Sequence, residues 1–189
     1  MIKIAWGITG SGHFLSETIN VMKEIVKQEH VEITVFLSKA AIMVVRWYKI
    51  WDDLKSISPR VLIERGPNSP FIAGSLQTGE YDFLLIAPAS ANTVAKIVNG
   101  IADSLITNAL ALAQKGGVPV YILPTDQELG TIITTLPSGK SLKLIMREID
   151  VENVNKLRLM KGIVVLKKPD EIKDVIKSFI NRSNQKAKN

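Results

Sequence analysis

Residues Asp82 to Asn108 read DFLLIAPASANTVAKIVNGIADSLITN. The run opens on consecutive apolar residues, Phe83 to Ala87, and stops at Pro88; from Ala91 the pattern changes, with Ala91, Val94, Ala95 and Val98 at i, i+3, i+4 and i+7. A continuous apolar run predicts a buried strand, and the 3.6-residue period predicts a helix fed directly by it. Between them, Ser90, Asn92 and Thr93 place small polar groups where the first turn of a helix leaves backbone N–H groups unpaired. That turn is a candidate ligand site.

Working outward, the same unit recurs. Ile2 to Trp6 is a short apolar strand that runs into GITGSGH, and from Phe14 to Gln28 the apolar positions follow a helical period. Gly7, Gly10 and Gly12 permit a tight turn with close backbone approach, and Thr9 and Ser11 add hydroxyls, a combination that suits a phosphate. The spacing is not GxGxxG, so it carries no dinucleotide fingerprint, and glycine turns without ligands are as common. Val31 to Leu37 is a second strand ending in Ser38, which either caps the following helix or offers its hydroxyl to a ligand. Arg60 to Glu64 reads as a third strand. Val118 to Leu123 reads as a fifth, followed by Pro124, Thr125, Asp126 and Gln127.

Further helices are expected at Phe71 to Leu76, at Ser104 to Lys115 with Asp103 as N-cap, at Leu142 to Ile149 and at Pro169 to Ile180, with a late strand at Ile163 to Leu166. Strands alternating with helices predict an α/β fold in three layers, a parallel sheet with helices on both faces. Ligands of such sheets gather at the carboxyl ends of the strands. The turns after strands one, two, four and five all carry small polar residues, so four weak signals fall on one edge. Residues 1–181 form one domain, and the polar stretch 182–189 is expected to be a disordered basic tail.

Composition narrows the chemistry. The 189 residues are 46% apolar and 22% charged, as in a water-soluble domain, and include no cysteine. Thiolate-ligated metals, iron–sulfur clusters and cysteine nucleophiles are thereby removed. No apolar run approaches the roughly 20 residues of a membrane span, and the N-terminus does not read as a signal peptide. A cytoplasmic protein without membrane association is expected. The formal charge of +6 is local: from Lys156 onward ten Lys or Arg face three Asp or Glu, so the preceding residues carry −1. A basic segment without a nucleic-acid-binding motif reads as a solvated helix, and no nucleic-acid partner is expected.

Three stretches leave alternatives open. Residues 104–115 are apolar nearly all round, which calls for a second partner besides the sheet and points to another subunit. Trp47, Tyr48, Ile50 and Trp51 suit core or interface better than a pocket wall. Residues 65 to 80, punctuated by Gly and Pro, are a candidate lid or a plain connector.

PASANT at Pro88 to Thr93, continued by VAKIVNGIADSLITNAL, resembles the signature of the homo-oligomeric flavin-containing cysteine decarboxylase superfamily. TGSG at Thr9 to Gly12 and LSKAA at Leu37 to Ala41 match its other FMN-binding turns in order. The resemblance implies a flavodoxin-like, Rossmann-like fold, FMN as cofactor, and assembly as trimers or multiples of trimers. It also implies that Gly10, Ser11, Gly12 and Ser38 hold the phosphate and ribityl chain, that Ser90, Ala91, Asn92 and Thr93 line the ring, and that Thr9, Ala89 and Thr125 complete the cofactor-binding set.

Within the superfamily, the chain lacks the PxMNxxMW clamp of the pantothenate-pathway decarboxylases and the Arg–Glu pair of flavin prenyltransferases; LPTDQ stands at Leu123 to Gln127 instead. It is most similar to the archaeoflavoprotein branch, which includes enzymes described as dihydromethanopterin reductase (acceptor), in WGITG, in KIWDDLK and in LRLMKGI at Leu157 to Ile163. That branch implies an FMN oxidoreductase that passes electrons from a donor such as ferredoxin to a small-molecule acceptor. Asn92 is then the candidate for orienting substrate or flavin. Asp126 is a candidate proton donor, or merely a cap of the next helix. A prenyltransferase and a non-enzymatic flavin carrier are the alternatives.

Overall fold

The computed structural model describes residues 1–28 and 30–186. Six apolar runs form one parallel sheet: β1 (Ile2–Ile8), β2 (Val31–Leu37), β3 (Val61–Ile63), β4 (Phe83–Ala89), β5 (Val120–Pro124) and, late in the chain, β8 (Ile163–Val165). Their order across the sheet is β3, β2, β1, β4, β5, β8. Two further strands, β6 (Thr131–Thr135) and β7 (Ser141–Ile145), pair only with each other as an antiparallel hairpin.

Side-chain alternation splits the interior into two cores. Phe83, Leu85 and Ala87 of β4 join Ile4, Trp6 and Ile8 of β1 on one face, while Leu84 and Ile86 join Ala5 on the other. The first face is covered by α1 (Leu15–Ile25), α2 (Lys39–Trp47), α3 (Trp51–Ile57) and α8 (Glu171–Lys186). The second is covered by α4 (Ile72–Gln77), α5 (Ala91–Val98), α6 (Leu105–Lys115) and α7 (Glu148–Arg158). This is the three-layer, flavodoxin-like arrangement expected of the alternating pattern. Burying each large apolar side chain contributes about 1.5–3 kcal/mol. Among the described residues, no helix is long and apolar enough to cross a membrane.

Four expectations are corrected. Leu142 to Ile149 is not one helix: β7 ends at Ile145, and α7 starts only at Glu148. The apolar spacing there satisfies a helical period, but Leu142 and Leu144 also alternate. Pairing with Thr131–Thr135 through a turn holding Gly139 at φ 82° decides the matter. The cap of α6 is Ser104, in a reciprocal capping box with Thr107, while Asp103 pairs with Lys96 at 2.8 Å. The second face of α6 is covered within the chain, where Ile72, Ala73 and Leu76 of α4 join Leu105, Ala109 and Leu110 in one core. The same packing makes residues 65 to 80 an anchored connector: Asn108 Nδ2 donates to Pro67 O and Asn68 Oδ1, both at 2.8 Å. Finally, α8 continues through Lys186, so residues 182–186 are helical where a disordered tail was expected; 187–189 lie outside the described residues.

Trp6 carries the only tryptophan indole that is fully buried, and its Nε1 donates to Ala87 O at 3.0 Å across the β1–β4 pair. Trp6→Phe orphans that carbonyl and leaves a small void. A loss of about 1–3 kcal/mol, measured as a lowered denaturant midpoint at unchanged m-value, is expected.

Candidate cofactor site

From β1 the chain winds outward through β2 to β3, and from β4 it winds the other way through β5 to β8. The connections therefore diverge between β1 and β4, leaving a crevice beyond their carboxyl ends. Thr9 ties its two walls together. Its backbone N–H and its Oγ1 donate to Pro88 O at 3.2 and 2.8 Å, and Oγ1 accepts from Ser90 N at 2.7 Å. Thr9 is 1% exposed, and its hydroxyl is used in both senses inside the protein. Thr9 thus shapes the cradle and has no hydroxyl proton left for a ligand. Beside it, the β4–β5 register shifts between Ile86 and Ala89, an irregularity of the kind that re-aims chain near functional sites.

One cleft of about 280 Å³ lies between the N-terminal turns of α2, α5 and α6. Gly10, Ser38, Ser90, Asn92, Thr93 and Lys96 are among its lining residues. Ser38 Oγ accepts from Ala41 N at 3.1 Å as the N-cap of α2, which leaves its O–H to donate. The cap and ligand roles are therefore compatible in this one hydroxyl. Ser90 Oγ and Thr93 Oγ1 share a hydrogen bond of 3.1 Å. Gly10 is required by packing alone, because a Cβ there would lie 2.5 Å from the Ala40 side chain.

At the floor of this cleft stands Glu64, 8% exposed, a residue that sequence reasoning missed. Oε2 accepts from Lys39 N at 2.9 Å and Oε1 from Leu105 N at 3.0 Å, so one carboxylate meets the positive ends of both α2 and α6. No local pattern announces it, since its partners are 25 and 41 residues away.

Across Gly10 a second cleft of about 270 Å³ is bounded by the first turn, α2, the end of β5 and the hairpin. Its walls include Ser11, Gly12, His13, Tyr48, Thr125 and Asp126, with Val44, Trp47, Leu142 and Leu144 as the apolar side. Trp47 is 59% exposed, and Trp47 and Tyr48 form pocket wall where core or interface was the favoured expectation. The Tyr48 ring packs onto Gly12, where a Cβ would come within 2.8 Å of Cζ, and its hydroxyl donates to Thr135 O at 3.0 Å. Tyr48 thereby ties the hairpin to the site. Burial, and next the Glu17 carboxylate, push its phenol above the ordinary range.

Asp126 Oδ2 accepts from Thr125 Oγ1 at 2.6 Å, and Thr125 N donates to Ala89 O at 3.0 Å. A strand follows Asp126, so it caps no helix. His13 lines this cleft and an adjoining one of about 240 Å³, its ring 3.9 Å from that of Phe14. Burial pushes the imidazole below its ordinary range, while Glu17 and Asp126 oppose that shift.

The expected residues thus divide between two clefts that share Gly10. Asn92 lines the first and Asp126 the second, so the two catalytic candidates do not share one cleft. Ala89 is buried in the sheet and Ala91 is half-buried at the start of α5; neither is among the lining residues of either cleft. Hydroxyls, helix N-termini and an ammonium suit the phosphate and sugar-alcohol end of a flavin nucleotide, and the apolar, aromatic wall suits flat rings. Each cleft falls just below the about 300–1,000 Å³ usual for ligand pockets, and the two meet at Gly10.

A doubly wound parallel sheet with such a switch-point crevice defines an α/β protein of the nucleotide-cofactor-binding class. The Flavoprotein family model matches residues 1–185, and the chain belongs to that family. It is 50% identical over 185 residues to an uncharacterised protein of Methanocaldococcus jannaschii, covering 98% of this chain and 100% of that one. It is 35% identical over 231 aligned positions to the dihydromethanopterin reductase (acceptor) of the same organism, covering 90% and 94%. Among solved structures it is similar to Burkholderia xenovorans DmrB in complex with FMN, described as a cubic protein cage for redox transfer. That likeness has a TM-score of 0.81 and 30% identity over 97% of each chain.

Thr9→Val removes the hydroxyl that joins the two turns and strands Ser90 N. A loss of about 1–3 kcal/mol in unfolding free energy is expected, with weaker FMN binding by flavin-fluorescence titration, whereas Thr9→Ser retains both.

Proposed function

We propose that this protein is an FMN-dependent reductase, taking electrons from a reduced protein such as ferredoxin and delivering them to a small-molecule acceptor of the dihydropterin class. The observation that carries it is the junction at Gly10 of a hydroxyl-lined cleft with an aromatic cleft bearing ionisable groups. The reductase name of one relative and the FMN complex of another support the same assignment.

Gly10, Ser11, Gly12 and Ser38 would hold the phosphate and ribityl chain, with the Ser38 O–H donating. Ser90, Asn92 and Thr93 would meet the sugar-alcohol chain and the near edge of the ring, with Asn92 as an orienting amide, and Thr125 would face the ring from the second cleft. When bound, FMN supplies the redox chemistry; the chain supplies binding, orientation and exclusion of water. Trp47, Tyr48, Leu142 and Leu144 provide the apolar wall against which a flat acceptor lies. Asp126 is fixed by Thr125 at the cleft wall, where its negative charge disfavours a phosphorylated prenyl donor. The transferase alternative is weaker for that reason.

We assign a homo-oligomeric state, built from trimers as the family resemblance implies, and the cubic cage described for DmrB supports an oligomer. Met43, Phe71, Ile133 and Ile145 are each at least 71% exposed in the single chain, apolar surface that subunit contacts would cover.

The purified protein reconstituted with FMN should be yellow, bleach on mixing with reduced ferredoxin, and recover its colour on adding a dihydropterin. A protein that binds FMN but reoxidises with no acceptor would be a carrier. One that yields a modified flavin with dimethylallyl phosphate would be a prenyltransferase.

A further inference from the structure

The second cleft contains one imidazole, and its position is unusual. His13 lies in the turn between β1 and α1, in the wall that separates the 270 Å³ cleft from the neighbouring 240 Å³ cleft, and both cavities are also lined by Thr125 and Ile132. The neighbouring cleft is bounded by Gln127, Glu128, Met146 and Lys167, residues largely from the loops after β5 and β8. It reaches the surface without passing the hydroxyl-lined cleft assigned to the phosphate. Among the described residues, His13 has no hydrogen bond within the protein. Asp126, by contrast, already accepts a 2.6 Å bond from Thr125.

Reduction of a carbon–nitrogen double bond needs hydride at carbon and a proton at nitrogen, and the proton must come from a group that touches the acceptor yet can be recharged from water. Resting on the reductase assignment above, we infer that His13 is the proton donor of acceptor reduction, that Asp126 orients its imidazolium, and that the cleft of Gln127, Glu128 and Lys167 is the water path that reprotonates it. In the balanced step, the acceptor's C=N π bond breaks and its carbon takes hydride, two electrons and one proton, from the reduced flavin. Its nitrogen takes the imidazolium proton. Neutral His13 then regains a proton from water.

The ionisable groups around His13 are Glu17 on α1, Asp126 and Glu128 after β5, Lys167 after β8 and Tyr48 on α2. Burial favours the neutral ring while Glu17 and Asp126 favour the cation, so the fraction of protonated His13, and with it the rate, rises as pH falls through the imidazole range.

The test uses the FMN-loaded protein, reduced anaerobically with dithionite and mixed in a stopped-flow instrument with a dihydropterin, a benzoquinone or ferricyanide across the imidazole range. In the wild type, reoxidation by the first two should speed up at low pH. His13→Gln should lose that pH dependence and about 100-fold or more in rate with both. It should keep its FMN affinity and its rate with ferricyanide, which takes one electron and no proton. Glu17→Gln, which lies outside both clefts, should lower the His13 pKa read by NMR in the flavin-free protein and carry the pH limb down with it. If His13→Gln retains the wild-type rate and pH profile, the assignment of His13 is overturned while the reductase assignment stands. If the wild type reoxidises with neither dihydropterin nor quinone, the reductase assignment fails and takes this one with it.

Discussion

The site depends on one threonine. Two strands adjacent in the sheet but far apart in sequence send their chains in opposite directions, and without a tie their turns could open independently. Thr9 closes them with three hydrogen bonds to Pro88 and Ser90, each buried or half-buried and so shielded from competing water. The crevice is consequently a fixed feature of the sheet edge. Everything proposed for the cofactor hangs on that edge: the glycine turn on one side, the start of α5 on the other.

Electrostatics then divides the labour between the clefts. Three helix N-termini face the first cleft, yet Glu64 already engages two of them, so an incoming anion must rely more on the first turn, Ser38 and Lys96. The second cleft has fewer fixed donors and more apolar wall, and His13 and Asp126 are among its ionisable groups. A dianionic end and a flat, proton-accepting end of the reaction would find matching surroundings on opposite sides of Gly10.

Much of this was legible in the sequence because it is written locally. The strand from Phe83, the turn at Ser90 and the helix from Ala91 are contiguous, and their periods leave little choice. Ser38 was readable for the same reason, as a hydroxyl at a strand-to-helix junction. What escaped was non-local. Glu64 gains its meaning from Lys39 and Leu105, and Tyr48 from Gly12 and Thr135, contacts that only the folded chain creates. The hairpin is ambiguous in sequence because residues 142–149 satisfy two periods, and the choice lies with pairing to residues 131–135. The apolar girth of α6 was real, but α4, a six-residue helix whose burial pattern is too short to read securely, supplied the cover expected from a neighbour.

The bidentate role of Glu64 also bears on how the domain opens. β3 is three residues long and sits at the sheet edge, the sort of element that frays with little resistance. Here the residue that follows it also holds the first turns of α2 and α6, so β3 cannot detach without uncapping two helices. Local opening at that edge becomes a larger cooperative event. The rim beside the cofactor crevice thereby inherits the rigidity of the two helices that Glu64 holds.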